Sequence, residues 1–147
     1  MSIFDPLVVS SSALSAERQR AEIITANMAN AETTRTEAGG PFHRREVVFR
    51  SAEPSFHFAL ANAHASNTPP AGVVRVAQVV DDPTPPVMKY EPGHPDANKD
   101  GYVAYPAINP ATEMVDLMGS VRAYQLNASA VSATKQMIQQ SIDILKS

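Results

Sequence analysis

Stepping alternately three and four residues from Met114 meets Leu117, Val121, Tyr124, Ala128, Val131, Lys135, Ile138, Ile142 and Leu145. All but Lys135 are apolar or aromatic. A three–four repeat sustained this long is a heptad seam on one face of an α-helix. A second seam runs through Gly119, Ala123, Leu126, Ala130, Ala133, Met137, Gln140 and Ile144. At about 100° per residue the two lie on nearly opposite faces. A helix that is apolar on two faces wants neighbours on both. Asn109 can cap its start, Pro110 suits its first turn, and no proline follows. A helix from 110 to 145 would run about 54 Å. A compact globule of this chain length has a diameter near ~40 Å. The helix should therefore protrude, and other chains should bury what this chain cannot.

A second, shorter helix is expected over 5–31, with Asp5 as its cap and Pro6 in its first turn. Leu7, Leu14, Ala21, Ile24 and Met28 follow a heptad-like spacing that suits packing against the first seam of the long helix. Ser10, Ser11 and Ser12 weaken the first turns. Asn27 and Asn30 close this helix. They fit a C-terminus in which Asn takes a left-handed backbone, and they could equally bond across to a partner helix.

Between the helices the chain changes character. Residues 36–108 hold every glycine except Gly119, and ten of the twelve prolines. That punctuation excludes long helices and leaves room for short strands. Strands are expected at 43–50, 73–80, 86–90 and 102–105, the second rich in β-branched valine. Residues 51–72, rich in Ala, Ser, Asn and Pro, read as a long insertion. The expected class is α+β. Residues 1–35 and 109–147 form a paired, coiled-coil-like terminal-helix domain, and 36–108 a small β-rich module.

Chemistry is sparse. The stretch HPDANKDG begins like a calcium-binding EF-hand loop, with Asp96, Asn98 and Asp100 alternating before Gly101. Position twelve of such a loop must be a bidentate Glu, and here it is Ala107. Pro92, Gly93 and Pro95 cannot belong to an entering helix. The better reading is a turn in which Asp and Asn bond nearby backbone N–H groups and Gly101 supplies a positive φ. A small calcium-binding module on 96–101 is the rival reading. None of the four histidines, 43, 57, 64 and 94, pairs at metal-binding spacing. No nucleophile elbow and no Gly-rich phosphate loop is present. No enzyme activity, cofactor or small-molecule substrate is expected. On the long helix, Arg122 and Asn127 flank the apolar faces, where they could fix register.

Composition narrows the partners. Without cysteine, disulfides and thiol chemistry are excluded. A net charge of −3 with no basic stripe argues against nucleic acid. No apolar run is long enough to span a membrane. The N-terminus has Asp5 before any basic residue and no long apolar stretch, so it does not read as a cleaved secretory signal.

Three blocks resemble the flagellar basal-body rod proteins. SALSAERQR followed by NMANAETTRTEAGGPF, within 12–42, looks like the N-terminal signature shared by rod and hook axial proteins. YEPGHPDANKDGYVAYP, 90–106, resembles a block of the proximal rod subunits. EMVDLMGSVRAYQLN, 113–127, is similar to the shared C-terminal helix. The insertion has no counterpart role in the family, and Ala107 stands where relatives commonly carry Asn. The resemblance implies a subunit of the periplasm-crossing rod, packed through its terminal helices around a central channel and transmitting motor torque. It implies copies of itself as partners, with proximal and distal rod subunits and the adaptor at the membrane ring. It also implies delivery by the flagellar type III export apparatus without signal cleavage. A secreted, needle-like coiled-coil protein is a further rival, and the β-rich middle speaks against it.

Overall fold

The structure, a computed structural model, describes residues 4–51 and 72–146, with side chains as far as Ile144. The expected insertion falls almost wholly outside those residues. The elements are helix α1 (Asp5–Ala29), strands β1 (Arg45–Ser51), β2 (Val74–Asp81), β3 (Val87–Tyr90) and β4 (Tyr102–Tyr105), and helix α2 (Pro110–Lys146). β1 pairs with β2 and β3 with β4, as separate two-stranded sheets. The class is α+β, as the periodicities require.

Helix boundaries follow their capping chemistry. Asn109 caps α2: its Oδ1 accepts from Ala111 N–H at 3.0 Å, and its carbonyl accepts from Glu113 N–H at 3.1 Å. At α1 the cap lies one residue earlier than expected. The Phe4 carbonyl accepts from Leu7 and Val8 N–H, and Asp5 is the first helical residue, where its charge suits the helix dipole. The serine run does not break the helix; Ser11 and Ser12 satisfy their hydroxyls within it by donating to the carbonyls of Val8 and Val9. The other end is shorter than the expected 31. Asn30 Nδ2 donates to the Ala26 carbonyl at 2.8 Å, taking up a C-terminal acceptor in tight turns rather than a left-handed one. Among the described residues only glycines have positive φ.

The chain divides into two compact units. One holds α1 up to Gln19, α2 from Ser120 and the adjoining strand residues. Here Ser12 Oγ accepts from Val74 N–H at 3.1 Å, tying the first residue of β2 to α1. The other holds Arg20–Val48 and Gln78–Gly119.

Burial along α2 sharpens the heptad reading. Glu113, Ser120 and Thr134 are buried, and Leu117, Asn127, Val131 and Ile138 are half-buried. The spacing is again three and four. The row through Leu117, Val131 and Ile138 is the apolar row the sequence suggested. The companion row lies one position earlier than counted, on 113, 120, 127 and 134, and it is polar. Asn127 and Thr134 satisfy their own donors on the carbonyls of Ala123 and Ala130, which lets polar side chains occupy that row.

The β3–β4 hairpin pairs Val87 with Tyr105 and Tyr90 with Tyr102. Its connection is the stretch that resembled half of a calcium loop. Asn98 Oδ1 accepts from both Asp100 and Tyr102 N–H at 2.9 Å. Asp96 does not bond the local backbone as expected. It accepts instead from the Thr34 hydroxyl at 2.8 Å and lies 3.8 Å from Arg35. These oxygens serve the protein's own donors, and the calcium reading is set aside. Gly101 has φ +80°, and a Cβ there would sit 2.8 Å from Tyr90 Cε2. Gly101→Ala combines a left-handed backbone with that clash and should cost roughly 1–3 kcal/mol. Urea unfolding checks this, and an unchanged midpoint would show that the turn relaxes freely.

Candidate assembly interface

Two kinds of surface carry the architecture: a buried polar junction that holds the elements together, and helix faces left uncovered. The junction starts from Asn27, 1% exposed in the last turn of α1. Its Nδ2 donates to the Arg45 carbonyl at 2.9 Å and to Glu113 Oε2 at 3.1 Å, while its Oδ1 accepts from Arg45 N–H at 2.9 Å. One side-chain amide therefore satisfies both backbone groups of the residue that opens β1. Glu113, on the first turn of α2, is also 1% exposed. Its second oxygen accepts from Arg44 Nε at 2.6 Å.

Arg44 faces a ring of acids. Besides Glu113 it pairs with Glu46, and it lies 3.9 Å from Asp82 and 3.7 Å from Asp116. Burial opposes its charge, yet the hydrogen bond and charge of Glu113, with Glu46 behind them, hold its pKa above the ordinary arginine value. Hydrogen bonds from the hydroxyl and backbone N–H of Thr84 hold the Asp82 carboxyl below the usual range. The hairpin has a smaller counterpart. Tyr105 donates to Glu91 at 2.9 Å, and that bond raises the phenol pKa, while Lys89 stands 4.4 Å over its ring. A buried carboxylate is tolerated at 113 because its two oxygens have an amide and a guanidinium donor. The arrangement fastens α1, β1 and α2 together.

Of the residues marked on α1, Ile24 is buried and Leu7, Leu14, Ala21 and Met28 are half-buried. On α2, Leu117, Ala128, Val131 and Ile138 are half-buried. Met114, Val121, Tyr124, Leu126, Ala130, Met137 and Ile142 are exposed. The Leu145 side chain lies outside the described residues. Arg122 is exposed, and Asn127 Nδ2 donates to the Ala123 carbonyl of its own helix. Asn30 likewise bonds within its own turn, accepting from Thr33. Asn27 does bond across to the other helix. Arg44 and Glu113 had no signal in the sequence, because their contact joins residues 69 apart.

Comparison with known proteins places these features. Residues 7–35 match the family described as flagella basal body rod protein, and residues 99–144 match the C-terminal family of the flagellar basal body rod FlgEFG proteins. A flagellar basal-body rod protein FlgC from Bacillus subtilis is 38% identical over 99% of this chain and 100% of its own length. One from Borreliella burgdorferi is 36% identical over 99% of each. One from Salmonella typhimurium is 31% identical over 98% of this chain and 96% of its own. The matched ranges contain α1 from Leu7 onward, with Asn27, and all but the last two residues of α2, with Glu113.

Proposed function

The chain belongs to the FlgC family of flagellar basal-body rod proteins, and from that premise we propose how its surfaces build the rod. It is a structural subunit that assembles with other flagellar rod components. The observation that carries the proposal is the large apolar side chains left exposed along α2. Leu126 is 65% exposed and Ile144 75%, and Met114, Val115, Met118, Val121 and Met137 are exposed with them. Apolar surface of this extent along one helix marks a protein contact. The contact joins unlike patches on successive subunits, because heterologous contacts that do not close in a ring generate a helical shaft. Residues 1–35 and 109–147 form the packed inner layer of that shaft. The β-rich residues 36–108 lie outside it and select neighbours.

The resemblance supports the proximal segment as this subunit's place, with copies of itself, distal rod subunits and the membrane-ring adaptor as neighbours. It equally supports export through the flagellar type III apparatus without signal cleavage. A close-packed helical interface is stiff, and stiffness is what a torque-bearing shaft needs. The test is biochemical. A tagged chain should copurify with basal bodies isolated from its source cell, in fixed stoichiometry after a high-salt wash. Loss of the chain in that wash would overturn the placement.

A further inference from the structure

We infer that Asn27, Arg44 and Glu113 act as positioning residues that set the register of α1 against α2. The apolar row of α2 repeats every seven residues, through Leu117, Tyr124, Val131 and Ile138. A neighbour displaced by one heptad would meet equivalent side chains. Apolar contact alone therefore selects register weakly. The junction does not share that repeat. Glu113 is fully buried on α2 and meets Asn27 and Arg44 together, and the positions one, two and three heptads on are Ser120, Asn127 and Thr134, none of them a carboxylate. Asn27 is in turn fixed to both backbone groups of Arg45. A slip by one heptad, about 10 Å along the helix, would part the carboxylate from Asn27 and Arg44 together and leave Arg44 to Glu46 and Asp82.

In this reading the buried polar groups specify pairing more than they stabilise it. This inference goes beyond the rod assignment and does not depend on assembly, since the test uses the isolated full chain. The chain has no cysteine, so labels can be placed singly. Thr25→Cys and Thr112→Cys are both exposed positions, one on each helix. With spin labels at both, the parent chain should give one narrow distance distribution. The triple variant Asn27→Leu, Arg44→Met, Glu113→Leu should keep its helix content and thermal midpoint yet show a second distance population. A single unshifted distribution would overturn the inference, and so would loss of helix content. The double variant Asn27→Leu, Glu113→Leu leaves Arg44 its contacts with Glu46, Asp82 and Asp116. It therefore strands no charge, and it should broaden the distribution in the same way; a narrow one would again overturn the inference.

Discussion

Replacing Glu113 by Ala destabilises the chain by roughly 1–3 kcal/mol, because Arg44 Nε and Asn27 Nδ2 lose their carboxylate acceptor at once while Arg44 keeps its outer acids. The direction follows from geometry. Glu113 is 1% exposed, and water cannot readily replace it as partner to Arg44 Nε and Asn27 Nδ2. Urea unfolding followed by circular dichroism measures the change. Asn27→Ala removes three bonds, two of them to the backbone of Arg45, and should cost about 2–3 kcal/mol. The two losses should not add. Both variants break the same Asn27–Glu113 contact, so the double variant should fall short of the sum by about 1 kcal/mol. Strict additivity would mean that the carboxylate and amide act on separate parts of the fold.

Val121→Asp should do the opposite: leave the isolated chain folded and abolish the rod. Val121 is 45% exposed, so the new carboxylate remains solvated in the monomer. In an assembled shaft the same carboxylate would be buried without a partner, at a cost of several kcal/mol per subunit. Repeated at every equivalent contact, that penalty should stop assembly and motility. Val131→Asp is the companion. Val131 is half-buried within the chain, so it should lower monomer stability as well. Normal motility in the Val121 variant would remove this face of α2 from the interface. An unfolded Val121 variant would show that the face is covered within the monomer.

The elements were legible because their signals are local. Proline and glycine confine the strands to the middle, and Asn109-Pro110 announces α2 to the residue. Which row of α2 turns inward was not legible. Counting apolar residues favours Met114 and Val121, yet Glu113 and Ser120 are the buried pair. Hydropathy scores a carboxylate or a hydroxyl as outward unless its partner is known. The partner of Glu113 lies 86 residues away on α1 and 69 residues away at Arg44. The Asn27 cross-helix bond was one of two readings that the residue type allowed. Only its neighbours decide between them. Asp96 misled for a related reason: its alternation with Asn98 and Asp100 is a local pattern, whereas its partner, Thr34, is 62 residues distant.

The two halves of the Asn27 junction also differ in when the chain can make them. The amide reaches Arg45 across 18 residues and Glu113 across 86. Loop closure over the longer span costs about 1.4 kcal/mol more in chain entropy. The clasp between α1 and β1 is therefore the cheaper one, open to a chain still lacking its C-terminal half. Chain entropy alone thus favours the carboxylate arriving last, at a seat that the earlier contact has already shaped. Sequence separation biases the order of closure before any packing energy is counted.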